Sequence, residues 1–224
     1  MSELFIWFPT ARNSAKGMPN ILEHFLVEKF DPSKDIEGMD YDWMDYDFIK
    51  SGFPPKSAKD RLPSRLIYVV KKHRKLSFDC LSFNGDILVV SDLFLQFLDG
   101  NGFKSAYESA RLKVVSDKGA ELLGVKAYYA VRIGKFDDAL FNFPTKGRRR
   151  VKSLDKNSHA YLYSNLALKA PGKELFALSE FCYKGYFIFT EQKSKEIARL
   201  FYKPEIYPIN EFPSVYKAEF EFDW

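Results

Sequence analysis

Apolar and polar positions repeat one arrangement twice along this chain. An apolar strand runs into Ser-Asp or Thr-Glu, and an amphipathic helix follows. The first copy is Ile87-Leu88-Val89-Val90-Ser91-Asp92 leading into Leu93 to Leu98, and the second is Tyr186-Phe187-Ile188-Phe189-Thr190-Glu191 leading into Ser194 to Phe201. Ser91 and Thr190 stand where a helix N-cap belongs, each followed by a carboxylate at the positive end of the helix dipole.

Around these two copies the pattern predicts mostly strands. Residues 4 to 8 read as an opening strand stopped by Pro9. Asn20 reads as the cap of a helix over residues 21 to 30, with Ile21, Leu22, Phe25 and Leu26 on one face and a stop at Asp31-Pro32. Residues 51 to 65, with Gly52, Pro54, Pro55 and Pro63, read as an ordered, irregular crossing. Strands are expected at 66 to 70 and 76 to 83, with the basic Lys71 to Lys75 as an exposed hairpin tip between them. Asn84-Gly85 is a turn dipeptide, and Gly100-Asn101-Gly102 closes the first helix. Further strands are expected at 112 to 116, at 126 to 133 as a half-buried strand, at 159 to 163 and at 175 to 177. In the tail, Tyr216, Ala218, Phe220, Phe222 and Trp224 alternate with Lys217, Glu219, Glu221 and Asp223, which predicts a strand with one wet face and an edge open to dimerisation. The fold class is α+β, with mixed or antiparallel sheets, a few short helices and two similar strand-cap-helix units. These form one assembly over 1–224 in which any division falls near 140 to 155, giving lobes of about 1–145 and 146–224.

Composition adds a ring-rich core, since 22 Phe and 13 Tyr far exceed what surface positions need. The 34 basic and 30 acidic residues leave a net charge of +4, too balanced for a nucleic-acid coat or a membrane-surface protein. Cys80 and Cys182 lie far apart among aromatic neighbours and read as buried free thiols of a reducing compartment. The opening apolar run is too short, and its flanks too acidic, for a signal peptide, so the expected location is the cytoplasm.

Chemistry-bearing motifs are absent. His24, His73 and His159 have no metal-ligand spacing to one another or to a cysteine, and no phosphate-binding loop or nucleophile elbow occurs. The reading is therefore of a non-enzyme with no catalytic residue, metal or cofactor. Ser91 is explained by its cap role, and His24 reads as a surface residue. The segment from Asp35 to Asp47 differs in kind. It holds six carboxylates and no basic residue, interleaved with Tyr41, Trp43 and Tyr46, and it leaves the rest of the chain at about +10. Carboxylates steer association and rings anchor interfaces, so Asp40, Tyr41, Asp42, Trp43, Asp45, Tyr46 and Asp47 are the candidate partner-binding residues. The basic run at 146 to 152 reads as a solvated loop tip. With Lys71 to Lys75 it supports the alternative of a nucleic-acid-associated protein using basic surface loops.

The strand ending in Val89-Val90-Ser91-Asp92 and running into a helix, followed by Tyr128-Tyr129-Ala130-Val131-Arg132-Ile133, resembles immunity proteins of bacterial polymorphic toxin systems. The opening Leu4 to Pro9 and the Asp40-Tyr41-Asp42-Trp43 stretch are compatible with the same group. The resemblance implies a cytoplasmic protein that neutralises a cognate toxin by tight direct contact, without cofactor or catalysis. Which toxin it binds would be set by surface patches on the shared scaffold.

Overall fold

The computed structural model describes residues 3–10, 17–20, 22–34, 41–122, 126–151 and 160–220. The chain forms two compact units, one of Ala11–Lys135 and one that joins Met1–Thr10 to Phe136–Trp224. Strand β1 (Leu4–Trp7) opens the chain as expected, and its partners come from the far end of the sequence.

The unit of Ala11–Lys135 is built on six strands: β2 (His24–Val27), β3 (Arg65–Val70), β4 (Cys80–Ser82), β5 (Ile87–Ser91), β6 (Tyr107–Ser116) and β7 (Tyr128–Ile133). Their order is β2-β3-β6-β7-β5-β4, antiparallel throughout except for the parallel pair β3 and β6. Leu66, Tyr68 and Val70, at every second position of β3, join Val89, Leu112, Tyr128 and Ala130 in one core cluster. A short helix, α1 (Phe48–Ser51), lies in the crossing before β3, and α2 (Asp92–Gly100) follows β5 directly. Helix α2 packs against β5 and β7 and buries Phe94, Phe97 and Leu98.

In the other unit, short strands come first: β8 (Phe141–Asn142), β9 (Arg148–Val151), β10 (Ala160–Tyr163) and β11 (Ala167–Leu168), paired as β8 with β11 and β9 with β10. Then β12 (Leu175–Ala177), β13 (Phe187–Thr190) and β14 (Ile206–Pro208) form a fully antiparallel sheet with β1, in the order β12-β13-β1-β14. Helix α3 (Glu191–Leu200) packs on β13 and β1, and α4 (Phe212–Phe220) packs on β10. The core holds Ile6, Phe8, Phe141, Leu162, Phe176, Tyr183, Ile188 and Phe212.

Both strand-cap-helix copies form, one in each unit, and their junctions match closely. Ser91 has φ −72° and ψ 162°, and Thr190 has φ −75° and ψ 165°. The Ser91 hydroxyl accepts from the Phe94 N–H at 3.2 Å, and the Thr190 hydroxyl accepts from the Lys193 N–H at 3.5 Å. In each copy the cap residue's N–H donates to the carbonyl of an acidic residue just before the neighbouring edge strand: Asp79 before β4, and Glu174 before β12.

Four expectations are corrected. Residues 24 to 27 form the strand β2 and not part of a helix, because they pair with β3 from His24↔Val70 to Val27↔Ile67, and Leu22 is left 81% exposed. Lys71 to Lys75 are not a hairpin tip, since β3 and β4 lie apart in the sheet; Lys72 and His73 reach back to Glu23 at 3.0 and 3.3 Å. Strand β7 is buried on both faces, as its place between β6 and β5 requires. Residues 212 to 220 form a helix in which Phe212, Tyr216 and Phe220 line up at i, i+4 and i+8, rather than the expected strand; residues 221 to 224 lie outside the described residues. Cys80 and Cys182 are buried thiols outside any disulfide, as read from the sequence.

Candidate docking segment

Asp47 caps α1: its carboxylate accepts from the N–H groups of Ile49 and Lys50 at 2.9 and 3.4 Å. The Tyr46 hydroxyl donates to the Gly52 carbonyl at 3.0 Å, closing the loop over that helix. Rings then continue inward, Tyr46 edge-on to Phe48 at 5.2 Å and Phe48 edge-on to Phe53 at 5.3 Å. Trp43 is 2% exposed, joins the β-sheet cluster and donates from Nε1 to Glu28 at 2.9 Å. Tyr41 stacks on Trp43 at 5.3 Å, and its hydroxyl accepts from the Glu28 N–H.

The candidate residues therefore divide by direction. Asp42 and Asp45 are exposed, and Asp42 pairs with Lys59 at 3.4 Å across open solvent. Trp43 faces the core, so it supports the segment from within and offers no ring to a partner; Tyr41 and Tyr46 are half-buried. Asp40, with the rest of 35 to 40, lies outside the described residues. The apolar side chain that the segment does expose is Ile49, at 57%. Sequence reading passed over Ile49 because it follows the acidic run, although an apolar residue two positions after a capping Asp carried the signal.

Beneath the segment lies Arg132 of β7, with 0% exposure. Its Nε and Nη2 donate to Glu108 at 3.2 and 2.5 Å, Nη2 also donates to the Asp60 carbonyl at 2.6 Å, and Nη1 donates to the Trp43 carbonyl. The guanidinium lies 4.6 Å from the Phe48 ring centre and 5.6 Å from that of Tyr46. Glu108 in turn accepts from the Leu62 N–H at 3.4 Å. Two residues further on, Gly134 leaves room for Phe53: a Cβ there would stand 1.9 Å from the ring. Sequence reading missed Arg132, although it shares a strand face with Tyr128 and Ala130 and so falls in line with core residues.

Elsewhere among the described residues the buried side-chain polar atoms are hydrogen-bonded within the protein. Ser91 is fully buried, and its hydroxyl donates to Asp79 at 2.7 Å while Lys126 holds the same carboxylate at 2.6 Å. His24 is 4% exposed, which corrects the surface reading; its Nδ1 lies 2.5 Å from the Tyr68 hydroxyl. Burial pushes the imidazole down to about 4, against a smaller upward pull from Glu23. Of the basic run, Arg148 to Val151 form β9, and the Arg148 guanidinium lies 4.0 Å over the Tyr161 ring; Lys152 lies outside the described residues. Among the described residues no helix is long and apolar enough to cross a membrane.

The described residues thus define two α+β units, one of which carries a segment pinned from below and acidic on its open side. Residues 10–224 match the family model described as Immunity protein 43, so the chain belongs to that family and is an immunity protein of a toxin/immunity system. The match contains the residues at 87 to 98 and 128 to 133 that carry the resemblance read from sequence. Membership implies toxin neutralisation and a toxin partner. A search of curated proteins gives no match.

Proposed function

We propose that this protein neutralises a bacterial polymorphic toxin in the cytoplasm by direct contact, without catalysis, and that the open side of residues 41 to 50 is part of the docking face. Family membership across nearly the whole chain carries this reading. The docking face is supported by a combination of groups on one segment: the exposed carboxylates of Asp42 and Asp45 beside the exposed Ile49, on a backbone held from within. Carboxylates raise the encounter rate with a basic surface, and an apolar side chain that enters a recess slows dissociation. A basic toxin domain with an apolar recess is the partner that fits.

Co-expression with the open reading frame immediately upstream of the gene tests the reading. The expected result is toxicity of that neighbour alone, rescue of growth by this chain, and co-purification of the pair. Rescue without any complex would refute neutralisation by contact. Unchanged affinity in the Asp42→Lys/Asp45→Lys and Ile49→Asp variants would remove the segment from the interface.

A further inference from the structure

We propose that Arg132 is a positioning residue for toxin docking, which fixes the backbone of residues 41 to 60 from inside the sheet before the partner arrives. The proposal rests on the docking segment put forward above. An unsolvated guanidinium is costly unless all sides are engaged, and here they are: one carboxylate, two main-chain carbonyls and two ring faces surround it. Trp43 and Asp60 are seventeen positions apart, yet their carbonyls accept from one planar fork. Filling the core alone would not require this, because an apolar side chain of similar volume packs a β-sheet without desolvating a charge. The fork adds a fixed direction. With both ends of the crossing held, and Phe53 seated on Gly134, Ile49 of α1 and the preceding Asp42 and Asp45 are presented in one arrangement. A segment ordered in advance loses less freedom on binding, which favours affinity without adding a contact.

The test pairs local exchange with affinity. Arg132→Met/Glu108→Gln removes the fork without leaving a lone buried carboxylate, and Arg132→Lys keeps the charge while losing the fork. Amide hydrogen exchange at 41 to 60 should rise at least roughly tenfold in both variants while α2 and β5 keep their protection. Affinity for the co-purified product of the upstream open reading frame should fall roughly ten- to hundredfold, the scale set by re-ordering a few side chains on binding. Asp42→Lys/Asp45→Lys should lose affinity with exchange unchanged. Unaltered exchange at 41 to 60 in the Arg132 variants, or faster exchange with affinity intact, overturns the positioning role. If the surface variants bind as the wild type does, the docking face itself is at fault, a separate outcome. Should the paired variant fail to fold, Arg132→Lys decides the matter by the same two readings.

Discussion

His24 makes the stability of this protein depend on mildly acidic pH, with a size that follows from its surroundings. The ring is packed edge-on to Tyr68 at 5.6 Å and to Phe83 at 5.1 Å, and its Nδ1 meets the Tyr68 hydroxyl. Burial also holds that phenol in its protonated form, so it donates to an unprotonated Nδ1. Burial holds the folded imidazole down at about 4 against an ordinary value of 6.5, with a smaller upward pull from Glu23 and a downward push from His73. Between those values the unfolded chain binds the proton and the folded chain does not, so stability rises with pH through that window. The contribution is complete above about 6.5 and is lost as pH falls toward 4. The full difference is worth about 3 kcal/mol, and about 2 kcal/mol of it disappears between pH 7.5 and 5. His24→Asn keeps a polar atom near Nδ1 and does not titrate. Urea unfolding of both proteins at pH 7.5, 6.5, 5.5 and 5.0 isolates the effect, since every other titrating group is common to the two. The stability gap between them at pH 7.5 should shrink by about 2 kcal/mol at pH 5. A gap that stays constant across the series refutes the argument, whatever its size at neutral pH.

The two helix caps should differ in cost although their backbones match. Ser91→Ala loses both the cap and a hydrogen bond to a buried carboxylate, about 2–4 kcal/mol, whereas Thr190→Ala loses the cap alone, about 1 kcal/mol; equal losses on chemical denaturation would contradict the assignment. Gly134→Ala drives a Cβ into the Phe53 ring and should cost about 1–3 kcal/mol in thermal unfolding, with most of that penalty absent in a Phe53→Ala background. Ala218 is exposed on α4, so Ala218→Glu should change stability by no more than about 0.5 kcal/mol; a loss of several times that would favour the strand that the alternating tail suggests.

What could be read from the sequence depended on how far the determining contacts lie along the chain. The two caps, the Asn84-Gly85 turn and the closure at Gly102 are decided within a few residues, by a hydroxyl, an amide or a missing Cβ, and they stand where the pattern put them. Residues 24 to 27 were misread because Phe25 and Leu26 suit a helix face as well as a strand, and the pairing with β3 that decides the matter comes forty residues later. The tail was misread because Tyr216 and Phe220 satisfy a period of two and a period of four at once. Ser214 separates the two readings: a period of two would bury this polar residue between Phe212 and Tyr216, and the period of four leaves it exposed.

The candidate docking segment combines both cases. Its carboxylates and rings were evident from composition, but which of them face outward was not, because that is settled by Arg132, whose partners at positions 43, 60 and 108 come together only through the topology of the sheet. Aromatic residues within an acidic run suggest anchors for a partner, and here the same rings serve first as the seat of a buried cation: Phe48 and Tyr46 lie against the guanidinium, and Trp43 gives it a carbonyl. Turning the rings inward leaves Ile49 as the exposed apolar group beside Asp42 and Asp45. A single charge on a core-facing position of an otherwise apolar strand is therefore the sequence feature from which the arrangement follows. It holds the backbone carbonyls of Trp43 and Asp60, Phe48 and Tyr46 lie against it, and Asp42, Asp45, Ile49 and Lys50 are the side chains left exposed on the segment.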